Sequence, residues 1–141
     1  MHEMNLEALL PHRKPMLMIS EVLSYDDGQL QALSMIEPEN PLLQQGKFPG
    51  FAALELLAQA SGLFLGLNMD GDGAPGAIVS VRNMQVHKAC LTIDEAMHIK
   101  TNFLGGSGSA AMFQGLVYQE DRLVFEATLT VSRLNGVKRD A

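Results

Sequence analysis

The longest apolar stretch, Phe51 to Leu67, carries only Glu55 and Gln59 as charged or amide side chains. Ala and Leu dominate it and no β-branched residue occurs, so helix is expected over strand. Because it is apolar almost all round, the helix should be buried on most sides. Strand-like patterns flank it. Met16 to Ser24 and Gln29 to Ile36 are joined by the turn Asp26-Asp27-Gly28 and read as a hairpin, after which Pro38 and Pro41 impose a loop. After the turn Asp70-Gly71-Asp72-Gly73 come four β-like runs: Ala77 to Val86, Glu95 to Leu104, Ser109 to Gln119 and Arg122 to Ser132. In the second, Met97, Ile99, Thr101 and Phe103 alternate with His98, Lys100 and Asn102, the period of a half-buried strand. Gly105-Gly106-Ser107-Gly108 and Glu120-Asp121 read as hairpin connections, and Asn5 to Leu10 as a short helix stopped by Pro11.

Two strands, one buried helix and four strands define an α+β protein, an antiparallel sheet wrapped around one long central helix at about residues 50–67. No repeat or linker divides the 141 residues, so residues 1–141 form a single domain. One sheet on one helix leaves a sheet edge and an apolar helix flank uncovered, which predicts a homodimer or higher oligomer.

Composition narrows the partners. Sixteen Asp plus Glu against ten Lys plus Arg exclude a basic nucleic-acid surface. Docking to an acidic carrier would need a local cluster among Arg82, Lys88, Lys100, Arg133, Lys138 and Arg139. The single Cys90 cannot form an internal disulfide, which suits a reducing cytoplasm. Met1 to Leu10 shows no signal-peptide pattern. Phe51 to Leu67 is short of the roughly 20 residues of a bilayer span, so no membrane insertion is expected. Nine Met and no Trp fit an adaptable interior, for an acyl chain or for ordinary core filling alike.

Chemistry concentrates at one place: Gly46-Lys47-Phe48-Pro49-Gly50, followed by Glu55 and Gln59. Pro49 and Gly50 at a helix start leave backbone N–H groups free for a developing oxyanion. Gln59 lies four residues beyond Glu55, on the same face, and is placed to orient it. Lys47 is a poor base, because an ordinary lysine with a pKa near 10.4 is only roughly 0.04% neutral at pH 7; its expected role is a cation near substrate. His87 and Cys90 have metal-like spacing but no second pair, and no P-loop or Gly-x-Ser-x-Gly occurs, so neither metal nor cofactor is called for. His98 falls on the polar face of its strand and is expected to be solvated.

These residues carry a resemblance. Leu10-Pro11-His12-Arg13-Lys14-Pro15-Met16-Leu17-Met18 resembles the opening of the β-hydroxyacyl-carrier-protein dehydratases of fatty-acid synthesis. Gly46-Lys47-Phe48-Pro49-Gly50 is similar to their G-H-F-P-G loop, and Pro49 to Gly62 to their P-G…E-A-x-A-Q-A-G-G helix. The resemblance implies a hot-dog fold with active sites at dimer interfaces. It implies that Glu55 is the acid–base group, that the Gly50 N–H polarises a thioester carbonyl, that Lys47, Phe48, Pro49 and Phe51 border the substrate, and that His12 and Arg13 are structural. The chain departs from that pattern in having Lys47 as the letter before Phe-Pro-Gly, where the family has its catalytic histidine, and in having one Pro-Gly element rather than two; by spacing Pro49-Gly50 matches the second element, an alignment that would leave Lys47 outside the histidine's place. It thereby resembles the histidine-lacking branch of aryl-polyene-type lipid pathways. Three functions follow as expectations for an acyl-carrier-protein or coenzyme A thioester. The first is dehydration; the second is a non-catalytic subunit paired with a histidine-bearing dehydratase; the third is thioester hydrolysis.

Overall fold

The computed structural model describes Leu6 and residues 17–68, 76–107 and 109–133. His12, Arg13, the turn at 70–73, Lys138, Arg139 and, apart from Leu6, the short N-terminal helix expected from the sequence lie outside the described residues.

Strand β1 (Glu21–Tyr25) turns into β2 (Gln29–Ser34) through Asp26, whose Oδ1 accepts from the N–H groups of Gly28 and Gln29 at 2.8 and 2.9 Å. This local capping is why Asp-Asp-Gly makes a hairpin. The extended run expected from Met16 begins as regular strand only at Glu21, although the Ser20 N–H already donates to the Leu33 carbonyl. After the loop come β3 (Phe48–Pro49), a 3-10 turn (Gly50–Ala52) and helix α1 (Ala53–Asn68). Then follow β4 (Gly76–Val86), β5 (Cys90–Leu91), β6 (Met97–Ser107), β7 (Ala110–Gln119) and β8 (Arg122–Arg133).

Six strands form one antiparallel sheet in the order β1-β2-β6-β7-β8-β4, and β3 and β5 pair as a separate two-stranded ribbon. The sheet curls around α1. Leu56, Leu57, Leu63 and Phe64 of the helix join Leu30, Ile99, Phe113, Phe125 and Leu129 of four strands in one buried core. Each such side chain contributes about 1.5–3 kcal/mol when fully buried. Phe64 stacks on Phe103 with ring centres 5.2 Å apart and meets Phe113 edge-on at 5.5 Å.

Two expectations need correction, and one pairing was not expected at all. Gly105 to Ser107 belong to β6, where the register shifts between Phe103 and Gly105, and Gly105 takes a φ of +133°. The glycines therefore bulge a strand rather than form its turn. The ribbon β3–β5 was not legible, because two-residue strands carry no periodicity. The helical segment Gly50–Asn68 runs for 19 residues and is, by length and composition, long enough to cross a membrane. Its packing rather than its length marks it as a core helix, since its main hydrophobic side chains are wrapped by the sheet.

The outer face of the sheet is polar and hydrogen-bonded. His98 Nε2 meets Gln31 Oε1 at 2.8 Å, and Gln31 in turn donates to Gln29, which donates to Asn102. His98, expected to be solvated, is half-buried and bonded within this ladder. His87 Nε2 lies 2.8 Å from Glu126 Oε2 and is not paired with Cys90, which is a free thiol. Glu126 is opposite Gln85 in the register and alternates with the core residues Phe125 and Ala127, so this pair also faces away from α1.

Among the described residues three surfaces are left uncovered, one of them edge strand β1 with Leu23 and Tyr25 exposed. Edge strand β4 exposes Val79, Met84 and Val86. On α1 the sheet leaves a flank of Leu54, Glu55, Ala58 and Gly62 only half-buried, below an exposed Phe51.

Candidate active site

The site is built at the start of α1. Gln44 and Lys47 close a two-residue turn with paired backbone hydrogen bonds of 2.8 and 3.1 Å, and Gln45 and Gly46 between them take φ of 53° and 80°. Positive φ at both central positions is the geometry of the tightest two-residue hairpin turn. The turn hands the chain to Phe48 and Pro49, which pair with Leu91 and Cys90. Pro49, with φ −62° and ψ 137°, is the N-cap and offers no side-chain cap.

Gly50 is required there by a close approach. A Cβ on it would lie 2.0 Å from the Lys88 carbonyl oxygen and 2.8 Å from Val86 Cγ1. Its N–H donates to the Ala89 carbonyl at 2.7 Å. This corrects the sequence expectation: the Gly50 N–H holds the helix start to the 87–90 segment and is not free for a substrate oxygen. Phe51 supplies the next N–H, which as the second of the helix has no intrahelical acceptor. No backbone acceptor outside the helix takes it among the described residues.

Just inside the helix, Gln59 Nε2 donates to Glu55 Oε2 at 3.1 Å. Gln59 is fully buried, and its Oε1 accepts from the Met18 N–H at 2.9 Å. An amide whose oxygen is committed to an N–H must present its NH₂ the other way. Met18 thus fixes which end of Gln59 meets Glu55. Glu55 itself is half-buried, on the helix flank that the sheet leaves open. A carboxylate oriented by a buried amide and reachable from one side is what proton transfer to a bound substrate needs.

The structure brings Glu55, Gln59 and the helix start together, as the sequence expects. Phe48 and Pro49 are buried beneath the helix start, Phe48 completely and within the core, while Phe51 is 57% exposed beside the open flank. Lys47 lies exposed in the turn, and its side chain makes no hydrogen bond or ion pair among the described residues. Neither described histidine with a resolved partner stands at the site, since His87 and His98 are both on the outer face. Sequence reasoning missed the Met18 N–H and the Ala89 carbonyl. Both are backbone groups, and side-chain identity at those positions carries no trace of them.

A single long helix wrapped by an antiparallel sheet defines a hot-dog fold, here with a carboxylate in the first turns of the helix. The ApeP-like family, described as ApeP dehydratase, matches residues 4–139, and the chain belongs to that family. It is 31% identical over 139 residues to the 3-hydroxyacyl-[acyl-carrier-protein] dehydratase FabZ of Vibrio cholerae, covering 91% of this chain and 88% of that protein. The corresponding FabZ of Cronobacter sakazakii is 29% identical over 133 residues, covering 89% and 87%. Among solved structures, the dehydratase heterocomplex ApeI:P from Xenorhabdus doucetiae superimposes with a TM-score of 0.87 at 20% identity, over 99% of this chain and 97% of that one. A hypothetical thioesterase with coenzyme A from Streptococcus pneumoniae gives 0.62 at 19% identity, over 80% and 84%. At such identities the two structures speak for the fold alone.

Proposed function

We propose that this chain is the glutamate-bearing subunit of a β-hydroxyacyl thioester dehydratase whose site is completed by a second chain. The observation that carries this reading is Glu55, oriented through Gln59 and Met18 on the one helix flank left open by the sheet. Eliminating water from a β-hydroxyacyl thioester requires a group to take the α-proton and a group to protonate the departing hydroxyl. The electron pair of the broken Cα–H bond forms the double bond as the hydroxyl leaves as water. Glu55 serves one of these transfers, and the Phe51 N–H is the helix-start donor left to meet the thioester oxygen as negative charge develops on it.

A histidine-bearing partner supplies the second group. Among the described residues no second acid–base side chain stands at the site: Lys47 is exposed in a turn, and His87 and His98 are engaged on the wrong face. The similar Xenorhabdus structure is named a dehydratase heterocomplex, which supports assembly with a second, different chain. The substrate is a carrier-protein or coenzyme A thioester, consistent with the carrier-protein substrates named for the FabZ relatives. Of the basic candidates with described side chains, Lys88 flanks the helix start, whereas Arg82 and Lys100 lie on strands with two others between them, about 14 Å apart. Carrier recognition therefore centres on Lys88. Neither metal nor organic cofactor enters this chemistry. The exposed thiol of Cys90 suits a cytoplasmic setting.

The deciding experiment incubates the purified chain, alone and with a histidine-bearing dehydratase, with β-hydroxyacyl and acyl thioesters. Enoyl product with the partner present is expected. Release of free thiol from acyl thioesters by the chain alone would replace this reading with hydrolysis, and no product under any condition would leave a structural subunit.

Assembly is a separate expectation. Edge strand β4 and the open flank of α1 are the surfaces to be covered, so light scattering should give at least a dimeric mass at micromolar concentration. Replacing the exposed edge residue Val79 with Lys should shift the protein toward monomer. A wild-type monomer across the range, without a partner, would restrict assembly to heteromers.

A further inference from the structure

Ser34 closes β2 on its inward face, behind Leu30 and Ala32, and all three are completely buried. A hydroxyl in that row must find a partner or leave a polar group stranded in the core. It donates to the Met18 carbonyl at 2.5 Å. The N–H of the same residue donates to Gln59 Oε1. The two peptide groups that flank the Met18 Cα are therefore each tied by a buried side chain, one from the sheet and one from the helix. Holding both fixes the direction of the Met18 N–H, and that direction sets which end of Gln59 faces Glu55.

Neighbouring contacts separate this role from simple anchoring. The Ser20 N–H donates to the Leu33 carbonyl at 2.8 Å, and Ser20 Oγ accepts from the Met35 N–H at 2.9 Å. These bonds dock the 17–20 segment on the end of β2 without help from Ser34. Loss of the Ser34 hydroxyl thus loosens the Met18 peptides while the segment stays in place.

We propose that Ser34 is a positioning residue for Glu55, acting through Met18 and Gln59. The proposal rests on the reading of Glu55 as a proton-transfer group. Its test uses Ser34→Ala, Ser34→Cys, which keeps the volume with only a weak donor, and Ser34→Thr, which keeps the hydroxyl. Two readouts are followed in the assembled protein: the side-chain amide resonances of Gln59, assigned by comparison with Gln59→Glu, and turnover of a β-hydroxyacyl thioester. Ser34→Ala and Ser34→Cys should displace the Gln59 resonances and lower kcat about three- to tenfold at unchanged KM, the worth of one buried hydrogen bond. Ser34→Thr should restore both. In a Glu55→Gln background, Ser34→Ala should cost almost nothing further. Gln59 resonances that stay in place in Ser34→Ala overturn the proposal, as does a kcat loss that Ser34→Thr fails to rescue. Displaced resonances together with a harmless Glu55→Gln would instead overturn the reading of Glu55, so the two failures are distinct.

Discussion

Glu55→Gln should lower turnover by about 10²–10⁴-fold, the usual worth of a positioned acid–base group, while the fold stays intact. The substitution conserves volume. The new amide can still offer an oxygen to Gln59 Nε2, so the 3.1 Å hydrogen bond and the Met18 tether behind it survive. What is lost is the ability to take up and release a proton. The melting temperature should therefore stay within about 2 °C of wild type, because less than roughly 0.5 kcal/mol is at stake. Lys47→Ala is the matched control. Both hydrogen bonds that Lys47 makes in its turn, one donated and one accepted, involve its backbone, and the side chain is exposed, so activity should change by no more than about twofold. The measurement is kcat and KM on a β-hydroxyacyl thioester, with the partner present if turnover needs it. A collapse with Lys47→Ala beside a normal Glu55→Gln enzyme would reverse the site assignment.

Much of this architecture was legible because it is written in side-chain periodicity. The alternation of Met97, Ile99, Thr101 and Phe103 placed β6 with its correct inner face, and all four side chains do point toward α1. The composition of 51–67 gave the helix to within a residue or two at each end. Glu55 and Gln59 were paired from their spacing alone, and the hydrogen bond is present. The failures share one physical cause. The engagement of the Gly50 N–H by Ala89, the Met18 anchor of Gln59 and the ribbon of β3 with β5 each depend on a backbone group meeting a residue more than 38 positions away. Such contacts depend on tertiary placement, and any residue other than proline provides the same N–H and C=O. The glycine-rich segment at 105–107 misled for a related reason, since glycine permits a bulge and a turn equally.

The largest effect on stability should come from Gly50→Ala, and it should exceed that of Gly115→Ala although both glycines are crowded. At Gly50 the new methyl would lie 2.0 Å from the Lys88 carbonyl oxygen and 3.1 Å from its carbon, which are backbone atoms of the segment that receives the Gly50 N–H. Relief requires moving that whole segment away, which breaks the 2.7 Å hydrogen bond to Ala89 and strains the pairing of Phe48 with Leu91. At Gly115 the obstacle is the Leu57 side chain, with Cδ1 at 2.5 Å and Cδ2 at 2.6 Å. A leucine can shift or change rotamer at moderate cost even in a packed core. About 3 kcal/mol or more is expected for Gly50→Ala, near the top of the overpacking range, against about 1–2 kcal/mol for Gly115→Ala. For a domain of this size the first corresponds to a fall of about 10 °C in Tm and the second to about 3–7 °C. Gly50→Ala should also displace the start of α1, so turnover falls even where the variant remains folded, whereas Gly115→Ala should leave kcat close to wild type below its own melting transition. Thermal denaturation of both variants decides the matter. Equal destabilisation, or a milder Gly50→Ala, would mean that the 87–90 segment yields easily and that the helix start is not held by its contact with Ala89.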